Sequence, residues 1–295
     1  MSARTRYDHL SSDRSQFLEE ARQASELTLP YLIRGHEEHM TGMKQLNTPY
    51  QSVGAKGVVT LASKLMLALL PVQTSFFKLQ LDESQLGEEF PPQMKSELDL
   101  SFAKVERIIL DSISASDDRV AVHQALLHLV VGGNALVYMS KHGLKVYPLN
   151  RYVVERDGNG QVIEIVTKEC IAKELIQKQL PKEVLDQATD DDMKSDDVDV
   201  YTHIKRDNNR FIWHQEVHDT VLKDSKGKAP LDINPWIPLR FNTVDGEGYG
   251  RGRVSQFIGD LKSLEGLSKA LVEGSAAAAK VVFTVSPSST TKPST

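Results

Sequence analysis

An α+β fold is what this sequence predicts, and three features of its patterning carry the prediction. Apolar residues recur at intervals of three and four from about residue 8 to residue 131, the period of helices that bury one face. From Asn134 to residue 242 the period shortens to two, with Gly-, Asn- and Asp-rich turns between the runs, as antiparallel strands require. Beyond a glycine-rich segment, a single apolar stripe then continues from Val254 to Val272.

In order along the chain, residues 8–29 read as the first helix. Ser11 and Ser12 are candidate caps, Phe17, Ala21, Ala24 and Leu27 share a face, and Pro30 stops it. After a polar loop, residues 51–70 form a second helix with Val58, Leu61, Leu65, Ala68 and Leu69 on one broad face, ended by Pro71. Residues 76–81 read as a short strand. Two helices follow, over 92–114 with Leu98, Phe102, Val105, Ile108 and Ile109 in step, and over 119–131. The second closes at Gly132-Gly133, where glycine suits a left-handed C-terminal position.

Residues 134–139, 145–149, 152–156 and 162–168 read as strands, with Asp157-Gly158-Asn159-Gly160 as a hairpin turn. Residues 169–187 read as a short charged helix, and the acidic stretch 190–199 as a solvated loop. A second hairpin pairs 200–205 with 210–217 around Asp207-Asn208-Asn209, and 236–241 is the last strand. Gly246, Gly248, Gly250 and Gly252 then lead into a long helix over 253–282, striped by Val254, Phe257, Ile258, Leu261, Leu264, Leu267, Leu271 and Val272. The small residues of 275–279 would let a neighbouring helix approach closely, and the tail from 286 is polar.

Bulk composition narrows the function. A net charge of −5 gives no global basic signature, which argues against a protein that coats nucleic acid. It is compatible with a lumen that guides sliding DNA, where phosphate contacts must be weak. The single cysteine, Cys170, excludes a disulfide framework and a Cys-based metal cluster, and a reducing cytoplasm fits. The N-terminus has no apolar core of a signal peptide, and the longest apolar stretch, 58–72, is broken by Lys64 and Pro71. It is too short to cross a bilayer, so a soluble protein without a membrane partner is expected.

Chemistry-bearing motifs are few. G-x-G-x-G-x-G matches neither dinucleotide nor P-loop spacing, so Gly246, Gly248, Gly250 and Gly252 read as a hinge between the β region and the long helix. In His36-Glu37-Glu38-His39 the histidines stand three apart, not the four that place two zinc ligands on one helical face. His203, His214 and His218 share one hairpin region and could meet, although ordinary strand histidines explain them as well. The acidic run lacks the glycine and terminal glutamate of a calcium loop. With no nucleophile elbow and no base beside Cys170, no catalytic, cofactor or metal residue is assigned, and no enzyme is expected. Lys262, Lys269 and Lys280 on the long helix are the candidates for DNA contact. Lys262 and Lys269 lie a heptad apart, opposite much of the apolar stripe; plain solvated lysines are the alternative.

Several stretches together resemble one family. They are YQSVGAKG (50–57) running on through LASKLMLALLP (61–71), VERII (105–109), LVVGGNALVY (129–138), YVVERD (152–157), DVYTHI (199–204), WIPLR (236–240), DGEGYGR (245–251) and GDLKSLE (259–265). In this order they are similar to the head-to-tail connector (portal) proteins of short-tailed Autographivirus-type bacteriophages. The resemblance implies a portal fold: a mixed helical and β wing lobe over 1–250, a stem helix over 253–285 and the start of a clip at 286–295. Within the wing, helices would occupy 8–131, the β-rich part 134–242 and the glycine hinge 245–252.

By the same resemblance, the function would be a structural subunit of a dodecameric ring at one capsid vertex in the virion, assembled in the host cytoplasm. That ring would form the channel for DNA packaging and ejection. The implied partners are further copies of the chain, major capsid and scaffolding proteins, the terminase large subunit during packaging, tail adaptor or tail tube and internal core proteins, and double-stranded DNA held non-specifically. Force would come from a separate packaging ATPase, since no P-loop is present. By the resemblance, the rest of the clip, the second stem helix, the tunnel loop and the crown are expected to lie outside these residues. Two other readings stand beside it: a head-completion adaptor that binds a portal, and a nucleotide-binding enzyme using the Gly246–Gly252 loop.

Overall fold

Helix α1 spans Ala3–Glu26 and starts five residues before the sequence-based expectation, because its buried positions Ala3, Tyr7 and Leu10 continue the stripe of Leu18, Ala21 and Ala24. The computed structural model describes residues 2–33, 46–71, 74–80, 92–176 and 197–280. Ser2, not Ser11 or Ser12, caps the helix, its hydroxyl accepting from the Thr5 N–H at 3.4 Å. Ser11 and Ser12 lie inside it and donate back to the carbonyls of Asp8 and His9.

Helix α2, Val53–Leu69, buries Gly54, Val58, Ala62 and Met66, one residue per turn. Helix α3, Pro92–Ala115, follows, and α4, Asp118–Gly132, is buried all round from Ala125 onward. Gly133 closes α4 at φ +74° with its N–H on the Leu129 carbonyl, the left-handed cap expected from the sequence. The expected strand at 76–81 does not form over its described part, 76–80, where the Leu79 N–H is taken by the Glu106 carboxylate of α3 at 2.6 Å. That bond satisfies the donor without any partner strand; residue 81 lies outside the described residues.

The β region forms two antiparallel sheets. Strands β1 (Asn134–Ser140), β2 (Gly143–Tyr147) and β9 (Trp236–Arg240) order as β2-β1-β9. The larger sheet orders as β3 (Tyr152–Arg156), β4 (Val162–Ala172), β5 (Asp197–Asp207), β6 (Arg210–Val217) and β7 (Thr220–Val221), with β8 (Gly227–Pro230) also on β6. The 157–160 turn and the Asp207–Arg210 hairpin stand where the sequence places them. The charged helix expected over 169–187 is corrected over its first four residues. Residues 169–172 extend β4 against 197–200 of β5, and α5, Lys173–Ile176, is helix. Cross-strand pairing outweighs the mixed-charge pattern there. Residues 177–187 and the acidic run up to 196 lie outside the described residues. The short strands β7 and β8 have no counterpart in the sequence reading.

One core joins these parts. Helix α4 packs on α1, α2 and the smaller sheet, and Val130, Val131, Leu136, Leu149, Ile165 and Ile204 are fully buried across the junction. Each such side chain stabilises the fold by roughly 1.5–3 kcal/mol. The first half of α1 lies on the larger sheet, with Tyr7 and Leu10 against Val153, Val166 and Tyr201. Buried Arg14 donates from Nη1 to the carbonyls of Leu149 (3.0 Å) and Tyr152 (2.8 Å), which pins the helix to the turn before β3.

Candidate functional site

The glycine segment turns the chain from β9 into the last helix by packing against the end of α4. At Gly252 a side chain would collide with the Val131 carbonyl, and at Gly250 with the Gly133 carbonyl and the Arg240 side chain. Asn134 bridges to Gly250, Asn242 and Arg251 form a two-residue ladder, and the Arg253 N–H bonds the Val130 carbonyl at 2.8 Å. Gly246 adopts φ +79°, and neither it nor Gly248 has anything within contact of an added Cβ. The four glycines thus differ: two are close-packed against backbone, and two lie in an open turn.

A single 3-10 turn, Val254–Phe257, precedes helix α6, Ile258–Ala278, so the regular helix begins later than residue 253. Its root is tied to the body. Val254 is buried, while Ile258, Leu261 and Leu264 are half-buried. The Glu265 carboxylate accepts the main-chain N–H groups of Tyr50 (2.8 Å) and Gln51 (3.2 Å), and Gln51 Nε2 in turn donates to the Leu27 carbonyl. This lock joins α1, α2 and α6; no local pattern signals it, because its members are some 215 residues apart.

Beyond Glu265 all but Ser268 of the described rod is exposed. Leu267 is 67% exposed and Leu271 70%, and every described residue from Lys269 to Lys280 is exposed. The apolar stripe therefore continues past the last residue that the described part of its own subunit covers. Residues 281–285 of the expected helix and the tail 286–295 lie outside the described residues.

Lys262 donates to Gln23 Oε1 of α1 at 3.0 Å, Lys269 stands 3.9 Å from Glu273, and Lys280 is exposed at the end of the rod. At about 100° per residue Lys262 and Lys269 fall within roughly 20° of one line, about 110° from the centre of the stripe, whereas Lys280 stands past the last helical residue, Ala278.

The other motifs disperse or pair internally. His203 and His214 face each other across β5 and β6 at 5.5 Å, while His218 lies beyond β6. Each of the pair bonds a carboxylate, His203 that of Glu164 and His214 that of Glu216 at 2.7 Å. Arg6 pairs with both Glu155 and Glu164, and Glu216 accepts the Ala3 N–H at 2.6 Å. The cluster fastens the start of α1 to the sheet. Burial alone would raise the Glu164 pKa, but the hydrogen bonds from His203 and Arg6 outweigh it and hold it at about 2. Among the described residues no group of three His, Cys, Asp or Glu side chains is placed to hold a metal ion, and no helix is long and apolar enough to cross a membrane. His36-Glu37-Glu38-His39 lies outside the described residues.

Comparison with known proteins bears on the whole chain. The family model for bacteriophage head to tail connecting protein matches residues 1–295. The chain is 36% identical over 299 residues to the portal protein of Enterobacteria phage T3 and 36% identical over 301 residues to that of Escherichia phage T7. It is 29% identical over 290 residues to the portal protein of Enterobacteria phage SP6. Each match covers at least 97% of this chain but 55% of the relative, so the chain spans about half the length of these curated relatives. With the family model matching its full length, the chain belongs to the bacteriophage head-to-tail connecting protein family.

Proposed function

We propose that the chain is a portal subunit whose α6 helices, side by side around a rotation axis, wall a channel for double-stranded DNA. The observation that carries this reading is the uncovered half of α6, where Leu267 and Leu271 prolong the stripe that Leu261 and Leu264 begin. A helix with an exposed apolar stripe is stable in water only against another surface, and heterologous contacts that close after a full turn supply one without a different partner. In this reading residues 1–250 form the wing, 253–285 the stem and 286–295 the start of the clip. The ring has twelve members and sits in the virion at the head-tail junction, meeting capsid, terminase and tail proteins there.

The charge along the rod suits passage rather than grip. Lys262, Lys269 and Lys280 are balanced between 258 and 280 by Asp260, Glu265 and Glu273, leaving no net charge. Contacts to phosphate from such a wall are weak and fall away with salt. The close-packed Gly250 and Gly252 set the direction of the stem, and the open turn at Gly246 and Gly248 supplies whatever bending it undergoes.

Mass measurement in solution and electron microscopy of the purified chain test the reading, beside a double variant L267D/L271D. Closed rings that the double variant reduces to single subunits, with unchanged helical content, are expected. Rings that survive the double variant, or single subunits at every concentration, would remove α6 as the wall.

A further inference from the structure

We propose that the cavity between the 157–160 turn and the 243–248 loop is an anion site that takes a phosphate-sized oxyanion on Arg156 and Arg240. The cavity holds about 570 Å3 and is lined by both arginines together with Gly158, Gly160, Gly246 and Gly248.

Two guanidinium groups are brought together here by the backbone. Arg156 donates to the carbonyls of Gly160, Pro238 and Gly248, each at 3.0 Å, and Arg240 donates to that of Glu247 at 3.0 Å. The Arg240 Nη2 lies so near Gly160 that an added Cβ would stand 3.0 Å from it. The rest of their N–H groups, five to a guanidinium, have no acceptor among the described residues. Nor, among the described residues, does a carboxylate lie within ion-pair distance of either. The two charges feel one another: burial lowers the Arg156 pKa, and the charge of Arg240 lowers it further. An oxyanion between them would relieve that repulsion and use fork geometry that arginine offers to phosphate.

The acidic residues of the lining do not fill this role. Glu247 is held by Arg251, at 3.0 Å to its Nε, and Asp157 Oδ1 accepts the N–H groups of Asn159 and Gln161 within its own turn. Asp245 is exposed on the loop. Binding would tie the open Gly246 turn to the β3–β4 hairpin, stiffening the segment that leads into α6. The site does not depend on ring formation.

Thermal unfolding of the 295-residue chain in inorganic phosphate, against sodium chloride at matched ionic strength, is the test. A saturable rise of the midpoint in phosphate is expected, with half-saturation moved up by about tenfold or more in R240Q, as loss of one charge-assisted fork would give. The same midpoint in both salts, or an equal rise in R240Q, would overturn the proposal. Should R240Q not fold, hydrogen exchange of the unaltered chain decides. Slowing confined to 157–160 and 243–248 upholds the site, and no change or an even slowing overturns it. Competition by a short DNA duplex would assign the anion as a phosphodiester, and its absence as free phosphate; either upholds the site.

Discussion

Asn134 and Gly250 hold one another through a reciprocal pair of hydrogen bonds, Asn134 Nδ2 to the Gly250 carbonyl at 2.6 Å and the Gly250 N–H to Asn134 Oδ1 at 2.7 Å. The side-chain amide presents one donor and one acceptor, as a neighbouring strand would, to a glycine whose surroundings admit no Cβ. It is 2% exposed, so water cannot take over either bond. The first strand residue after α4 thereby fixes where the chain enters α6.

Replacing Asn134 by Ala leaves a buried N–H and a buried carbonyl of Gly250 without partners. Each unsatisfied group costs about 1–3 kcal/mol. N134A is expected to lose roughly 2–4 kcal/mol in urea unfolding, and N134D to lose as much, since it keeps the acceptor but turns a second oxygen on the Gly250 carbonyl. A loss below half a kcal/mol in both would show that the bridge does not anchor the segment.

Two glycines give opposite outcomes. At Gly252 an added methyl would overlap main-chain atoms of Val131, which cannot yield without moving α4, so G252A should lower stability by more than about 2 kcal/mol. At Gly266, inside α6, nothing stands within 4 Å of an added Cβ. G266A should gain about 0.5–1 kcal/mol of helix stability. Denaturant unfolding of both, with helicity by circular dichroism, checks the pair; equal signs would contradict the packing described.

How much of this was legible in the sequence depends on the range of the interaction. Local signals read well: Gly133 after an apolar run marks the cap of α4, and Asp157 to Gly160 marks a hairpin. Residues 76–80 misled because alternation of apolar residues cannot reveal whether a partner strand exists, and here Glu106 takes the free N–H instead. Residues 169–172 misled in the other direction, since their charges suit a helix until 197–200 supply a ladder. The heptad spacing of Lys262 and Lys269 was legible, but the bond of Lys262 to Gln23 of α1 was not. Glu265 at Tyr50 and Asn134 at Gly250 were invisible, because pairs that distant leave no periodic trace.

His128 gives a pH dependence of its own. It lies in the buried part of α4 with Nδ1 unbonded, and burial lowers its pKa from 6.5 to about 4. Between those values the unfolded chain binds a proton that the fold refuses, so stability falls as pH drops from 6.5 to 4, by up to about 1.4 kcal/mol per unit. H128L should flatten that slope and unfold later than the unaltered chain at pH 5. Urea midpoints at half-unit steps would show it, and an unchanged slope in H128L would assign the loss elsewhere.

Glu164 acts in a lower and largely separate window. Its neighbours from α1 and the adjoining strands are Arg6, Glu155 and His203, and the bonds from His203 and Arg6 overcome burial to bring its pKa from 4.5 to about 2. Here the folded chain refuses the proton, so the contribution is whole above pH 4.5 and is lost as pH falls towards 2. E164Q keeps the shape but removes the charge that Arg6 and His203 hold. It should be less stable at neutral pH by on the order of 2 kcal/mol and should lack the loss between pH 4.5 and 2. Because the cluster fastens the start of α1, hydrogen exchange in residues 3–10 should accelerate in E164Q while that of α4 stays slow. Uniform acceleration across both helices would mean that the carboxylate supports the whole core rather than the docking of α1.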